Sequence, residues 1–372
     1  MINFLKLSSI NKKYNEDFLR SLDNILTTGK YLFGEQVEMF ENEFANFCGV
    51  RGCIGVANGL DALTITFRTW IELGLIDEGN EVIVPGNSFI ASALAIEQAN
   101  LIPKFVEPDS KTYNICAEQI ERAIGSNTKA IMPVHLYGLL CDMGEIMQLA
   151  KKHNLLVVED CAQAHGANTA GVFSGAAGNA GAFSFYPGKN LGGITDGGAI
   201  ISNDWKFLNV ARQIANYGAG TKYKHLYKGQ NSRLNEINAA FLRHKLKDIE
   251  TELSYRRNQA RMYLDCINNK LVEIKLRETD NFNFASHAFH LFVVETHNRF
   301  CLQKHLLAHN IETGIHYPLP IYRQKAFCEY NPEFPTTSDT LTNRVLSLPI
   351  GSHLEQDQIS IICETVNSYD GS

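Results

Sequence analysis

Lys189 stands where a lysine can do chemistry. GAFSF (181–185) reads as a short apolar strand, Tyr186-Pro187-Gly188 breaks it, and the glycine-rich run NLGGITDGG follows the lysine. Proline fixes the corner. Glycine permits left-handed turns and close approach of a bulky group to the backbone. A lysine amine becomes a nucleophile toward carbonyls when burial or nearby cations disfavour its charge. The plainer alternative is a loop lysine in solvent, and the neighbouring motifs decide between the two.

Asp160 follows the apolar run LLVVE (155–159), inside VVEDCAQAHGA. A carboxylate there either meets a ligand or caps a following helix. Gln163, three residues on, offers an amide donor. His165 is either support for these groups or a packed histidine. Ser184 alternates with Phe183 and Phe185 and so faces the other way. GVANGLDAL (55–63) is a glycine turn opening an apolar helix, Leu60 to Leu73. The amides of Gly59 and Leu60 at that helix start are either an anion site or ordinary capping. Phe89, opening another helix, is a ring-stacking candidate or simply core.

Together these residues match what pyridoxal phosphate requires of a protein. Lys189 would hold the aldehyde as an imine and, once released, move the proton as base and acid. Asp160 would pair with the pyridine nitrogen and Gln163 with the ring oxygen. Gly59, Leu60 and Ser184 would hold the phosphate, and Phe89 would lie on the ring.

The surrounding pattern explains how such groups could meet. Residues 1 to about 50 read as mainly helical. From 81 to 201, strand-like runs alternate with helices: EVIVP (81–85), IPKFVE (102–107), KAIMPV (129–134), LLVVE, GAFSF and GAIIS (198–202). This predicts a mostly parallel sheet covered on both faces, with ligands beyond the carboxyl ends of its strands. Asp160 and Lys189 then fall on the same side. Helices around a Lys/Tyr/Gly-rich insert (217–233) follow. A large domain over 1–250, with N-terminal helices that could pack on the second unit, gives way to a small α+β domain over 251–372. AFHLFVVE (288–295) is strand-like there, and Arg299 to His309 reads as a helix.

The totals narrow the class. The 372 residues are 45% hydrophobic and 20% charged, as expected for a soluble globular chain. A net charge of −6 gives no reason to expect nucleic acid as a partner. No run is long enough to span a membrane. Nine scattered cysteines without a C-x-x-C pair predict reduced thiols in a cytoplasmic protein. The twelve histidines show no metal-ligand clustering. Dinucleotide-binding, Walker A and G-x-S-x-G signatures are absent.

EDCAQAHGA, SFYPGKNLG with DGGAI, the NYG…KY…G-x-NSRL run and GIHYPLP jointly resemble the DegT/DnrJ/EryC1/StrS family of sugar-nucleotide aminotransferases. The resemblance implies an aspartate-aminotransferase-like (type I) α/β fold, pyridoxal 5'-phosphate as cofactor, and Lys189, Asp160, Gln163 and Ser184 in the roles given above. It also implies that Asn231 reaches the phosphate of a neighbouring subunit's cofactor, within a homodimer with shared sites. Leu60 replaces the hydroxyl residue common after Asn-Gly, so the Gly59 and Leu60 amides must carry more of the phosphate. Lys189, where related dehydratases carry histidine, favours amination.

NGLDAL (58–63), AFHLFVVE and TGIHYPLP are most similar to enzymes that aminate dTDP-3-oxo-6-deoxyhexoses, with L-glutamate as donor. Amination of a 4-keto sugar or a cyclitol, and a non-catalytic pyridoxal-phosphate-binding regulator, are the alternatives. Tyr217, Tyr223, His225, Tyr227 and Arg233 in the basic aromatic insert are candidates for the nucleotide, or form a solvated loop. His316 and Tyr317 are candidates for the sugar, or brace the small domain.

Overall fold

The computed structural model describes residues 1–279, 282–333 and 336–372. Seven strands form the central sheet: β1 (Gly52–Val56), β2 (Glu81–Pro85), β3 (Ile102–Val106), β4 (Thr128–Ile131) and β5 (Leu156–Asp160), then, after the short ladder β6 (Asn168–Thr169) and β7 (Val172–Phe173), β8 (Ala180–Ser184) and β9 (Gly198–Ser202). Their spatial order is β1-β9-β8-β5-β4-β2-β3. β9 alone runs against the rest, pairing antiparallel with both β8 and β1. The other pairings are parallel. β1 is a strand without a strand-like sequence, since GCIGV carries two glycines and looks like the turn before the next helix.

Helices cover both faces. Helix Gly59–Glu72 buries Leu63, Ile65, Phe67 and Trp70 against Val82, Val158 and Ile200 on one side. On the other, Phe40 and Phe44 of helix Glu35–Cys48 pack on β8 and the residue after it. The Phe44 ring meets Phe183 at 4.9 Å and Phe185 at 5.4 Å, both edge-on. Burying such a ring is worth about 1.5–3 kcal/mol, so this cluster anchors the strand that leads into the Lys189 corner.

A second core gathers Tyr263, Phe289, Phe292, Leu302, Leu348 and Ile362 around the antiparallel pair β12 (Phe292–Glu295) and β13 (Val345–Leu348), which follows a small exposed hairpin, β10 (Ala219–Thr221) and β11 (Lys224–His225). β12 is shorter than the strand read over 288–295, because Phe289 takes a positive φ of 44° and its ring stacks on His287 at 3.9 Å. Helix Ile249–Cys266 joins the two cores: Ile249 and Leu253 lie in the first, Ala260 and Tyr263 in the second. The N-terminal helices pack beside helix Glu236–Lys247 of the larger core. It is the segment ahead of them that reaches the second: Ile2 is part of that core and its amide donates to Asn310 O at 2.7 Å.

Candidate active site

The parallel strands β1, β2, β5 and β8 end on one edge of the sheet, which therefore carries Asn58, Phe89, Asp160 and Ser184. Register fixes the closest pair: Asp160 lies opposite Ala182 across β5 and β8, and the chain then turns through Pro187 to Lys189. The loop folds back on itself, with Lys189 N donating to Tyr186 O at 2.9 Å and Gly193 N to Phe185 O at 2.8 Å. A Cβ at Gly192 would lie 2.2 Å from Pro187 O, and one at Gly198 2.4 Å from Asn58 O. None of the glycines around Lys189 has positive φ. Their role is close approach of backbone, rather than the left-handed turns glycine also permits.

Lys189 keeps part of its surface accessible but lies deep in the protein. Burial pushes its ammonium down to about 8, and the Asp160 carboxylate opposes that shift. Asp160 is 7% exposed and accepts hydrogen bonds from Ser92 Oγ at 2.8 Å and from Ala162 N at 3.1 Å. Turns rather than a helix follow it, so it is not a helix cap. His165 is packed near the Phe183 and Phe185 rings, and neither ring nitrogen has a hydrogen-bond partner. Burial, reinforced by Lys189, pushes it down to about 3, so it is neutral.

Beside Ser184 lies the start of helix Gly59–Glu72. Asn58 Oδ1 accepts from Asp61 N at 2.8 Å and Asn58 O from Ala62 N at 3.1 Å. The Gly59 and Leu60 amides occupy the first two helical positions, which have no intrahelical acceptor. A Cβ on Gly59 would sit 2.7 Å from Ser184 Cβ. Two amides and a hydroxyl thus lie side by side at a helix N-terminus, the arrangement that holds an anion. Ser184 Oγ accepts from Tyr186 N at 3.3 Å, which leaves its proton to donate.

Gln163 is buried and used at both ends of its amide. Its Oε1 accepts from Tyr137 N at 2.6 Å and its Nε2 donates to Tyr317 Oη at 2.9 Å, leaving one N–H for a ligand. The Tyr317 ring lies 5.3 Å from Phe89, tilted by 35°. Phe89 is half exposed rather than core. His316 Nδ1 lies 3.0 Å from Ser347 Oγ and its ring stacks on Phe4 at 5.7 Å. Burial, then Lys189, pushes His316 down to about 4.

The insert residues do not join this group within one chain. Among the described residues, none of Tyr217, Tyr223, His225, Tyr227, Asn231 and Arg233 hydrogen-bonds or stacks with Lys189, Asp160, Gln163 or Tyr317. Tyr223 is 84% exposed, and Asn231 is exposed. Tyr227 packs against the core around helix Gly59–Glu72. The Arg233 guanidinium lies 5.1 Å from both the Phe33 and Tyr217 rings and donates to Asn216 Oδ1 at 2.6 Å.

Several residues at the site carried no sequence signal of their own. Ser92 and Tyr137 belong to ordinary helix or loop segments, while Asn190 lies within SFYPGKNLG and His290 within AFHLFVVE without standing out from them. The histidines look scattered in sequence, yet the fold brings His135, Glu159 and Cys161 within 4.8 Å of one another. Protein hydrogen bonds account for this group. Glu159 accepts from His135 Nε2 at 2.8 Å and from the amides of Gly175, Ala177 and Gly178 at 2.9, 2.9 and 2.7 Å. His135 Nδ1 accepts from Cys141 N at 3.1 Å. This buried knot braces β5 immediately before Asp160.

Comparison with known proteins is consistent over nearly the whole chain. The chain is 46% identical over 369 residues, 99% of both sequences, to the dTDP-3-amino-3,6-dideoxy-alpha-D-galactopyranose transaminase of Aneurinibacillus thermoaerophilus. Its fold matches the crystal structure of S. venezuelae DesV in complex with a ketimine intermediate, with a TM-score of 0.92 and 38% identity over 98% of this chain and 97% of that one. It also matches NtdA from Bacillus subtilis with bound cofactor PMP, with a TM-score of 0.89 and 27% identity over 98% of this chain and 84% of that one. Residues 12–367 match a single family description. The chain therefore belongs to the DegT/DnrJ/EryC1/StrS aminotransferase family.

Proposed function

We propose that this chain is a pyridoxal-phosphate-dependent transaminase that converts a dTDP-3-oxo-6-deoxyhexose to a dTDP-3-amino-3,6-dideoxyhexose, with L-glutamate as amino donor. The observation that carries the reading is Lys189, whose ammonium burial pushes down to about 8 at the same sheet edge as buried Asp160. The 46% identity to a transaminase named for a dTDP-3-amino-3,6-dideoxyhexose supports the substrate.

The donor set fits the cofactor. The Gly59 and Leu60 amides and the Ser184 hydroxyl suit a phosphate. Asp160 suits a protonated ring nitrogen, the remaining N–H of Gln163 a ring oxygen, and the Phe89 ring a stacked face. When bound, the group supplies an electron-accepting ring and a carbonyl that carries the amino group from one substrate to the other. Lys189 Nζ takes the proton from Cα of glutamate, and in the second half-reaction returns a proton to C3 of the sugar. An amine with a pKa near 8 loses and regains that proton readily at neutral pH. Tyr317 lies within the field of Asp160 and holds Gln163 in place, and His316 lies within the field of Lys189. The balance is glutamate and keto sugar in, 2-oxoglutarate and amino sugar out.

We further infer that two copies share their sites. Asn231 and Tyr223 are exposed and make no contact with the Lys189 group of their own chain, which supports their use by a partner. Asn231 would then donate to the partner's phosphate, while Tyr217, Tyr223, His225, Tyr227 and Arg233 would line the nucleotide path. Mixing inactive Lys189→Ala and Asn231→Ala proteins tests this: re-assorted dimers regain up to about a quarter of wild-type activity if sites are shared and none if they are not.

The experiment for the function itself is addition of glutamate, or another amino donor, to the holoenzyme, followed by dTDP-3-oxo-6-deoxyhexose, dTDP-4-oxo-6-deoxyhexose or a cyclitol ketone. Loss of the cofactor absorbance band with glutamate and its recovery with the 3-oxo sugar support the reading. Recovery only with the 4-oxo sugar or a cyclitol ketone moves the substrate, and no response to any amino donor leaves a cofactor-binding regulator.

A further inference from the structure

His290 lies within AFHLFVVE, at the end of the segment before β12. Its neighbours determine which ring nitrogen carries the proton. Asn190, the residue after Lys189, donates through Nδ2 to the carbonyl oxygen of Ala288 at 2.8 Å. A carbonyl only accepts, so the amide orientation of Asn190 is fixed and its Oδ1 faces the other way. That Oδ1 lies 3.3 Å from His290 Nδ1. Two acceptors cannot pair, so Nδ1 carries the hydrogen. In a neutral imidazole Nε2 is then a bare lone pair.

The ring is neutral at physiological pH. Burial pushes its pKa well below the usual value, and Lys189, Arg256, His316 and His165 push in the same direction. The backbone is held as well: Arg256 Nη1 donates to Phe289 O at 3.0 Å and to His290 O at 3.3 Å. Among the described residues Nε2 has no hydrogen-bond partner in the chain, and the residue keeps part of its surface accessible. An acceptor without a partner among the described residues thus sits beside the Lys189 loop, joined to it through Asn190 and within the field of Lys189, His316 and His165.

We propose that His290 is a positioning residue for the keto sugar, its Nε2 accepting a hydrogen bond from a hydroxyl of the hexose ring. This rests on the aminotransferase reading given above. Both substrates use one cleft, and the chemistry separates them. Glutamate brings carboxylates, which when ionised are acceptors only, and a bare imidazole nitrogen offers them nothing. Its one donor, the ammonium, is consumed in the reaction. A hexose brings hydroxyl donors. His290 therefore reads the second substrate and not the first.

The test separates the half-reactions in the holoenzyme. His290→Asn keeps a donor for Asn190 at the Nδ1 position and deletes the acceptor. His290→Gln places an amide oxygen near the Nε2 position. One neutral hydrogen bond is worth about 0.5–1.5 kcal/mol, roughly a 2- to 13-fold effect. The half-reaction with glutamate should keep its wild-type rate in both variants. For dTDP-3-oxo-6-deoxyhexose, KM should rise roughly tenfold in His290→Asn with a smaller change in kcat, and His290→Gln should recover part of the loss. Calorimetry with an unreactive dTDP-hexose should show the same weakening. Equal damage to both half-reactions would mean that His290 only holds the Lys189 loop, and unchanged sugar KM and affinity would also overturn the proposal. A wild-type enzyme that reacts with glutamate but with no keto sugar would instead overturn the function reading.

Discussion

The Asp160 carboxylate and the Lys189 amine face one another's field at the ends of adjacent parallel strands, the aspartate closing β5 and the lysine following β8. The two effects on the amine have opposite sign. Burial disfavours the ammonium, the carboxylate favours it, and burial wins, leaving the amine near 8 instead of 10.5. The site therefore holds a lysine that gives up its proton far more readily than an exposed one, and an acid nearby that is already engaged by Ser92 and Ala162.

The first expectation concerns pH. With its folded-state pKa lowered, Lys189 is charged below about 8 and neutral above it. In cofactor-free protein, the rate at which an aldehyde reagent labels Lys189 should rise about tenfold per pH unit below 8 and level off above. Asp160→Asn should move that midpoint lower, because the carboxylate acts to raise it. A midpoint near 10.5 would show that the lysine is solvated, and an upward move in the variant that the carboxylate does not favour the ammonium.

Gly59 gives a second. A methyl group there would meet Ser184 Cβ at 2.7 Å and push the helix start away from the hydroxyl. Gly59→Ala should bind pyridoxal phosphate at least tenfold more weakly in a fluorescence titration, while its loss of affinity for the phosphate-free aldehyde is much smaller. Equal loss for both aldehydes would remove the phosphate assignment from this corner.

Stability offers a third. Buried Glu236 accepts from the amides of Gly34, Gln36 and Val37 at 2.9, 2.8 and 3.1 Å, satisfying the start of helix Glu35–Cys48. Glu236→Ala strands those donors and should cost about 2–4 kcal/mol, seen as a drop of several degrees in Tm. Glu236→Gln should fall in between. An unchanged Tm for Glu236→Ala would mean that water replaces the carboxylate without cost.

The β/α alternation was legible because each buried strand is a short apolar run bounded by turns, and Asp160 and Lys189 were placed together by that topology alone. β1 was not, since its glycines mimic a turn; what makes GCIGV a strand is pairing with β9, a contact across some 150 residues. The same limit hid the acceptor on His290. Its tautomer depends on Asn190, 100 residues away, and that in turn on the carbonyl of Ala288. The His135–Glu159 pair was equally silent, because its third partner is a run of backbone amides that have no letter in the sequence.

The most direct measurement is mass spectrometry of dTDP-3-oxo-6-deoxyhexose incubated with holoenzyme and 15N-labelled L-glutamate, in wild type and Lys189→Ala. Wild type should convert the oxo group to a labelled amine at C3 over many turnovers, and Lys189→Ala should yield no product. Labelled product from Lys189→Ala at a comparable rate, or no labelled sugar from wild type, would contradict the assignment of Lys189 and of the reaction.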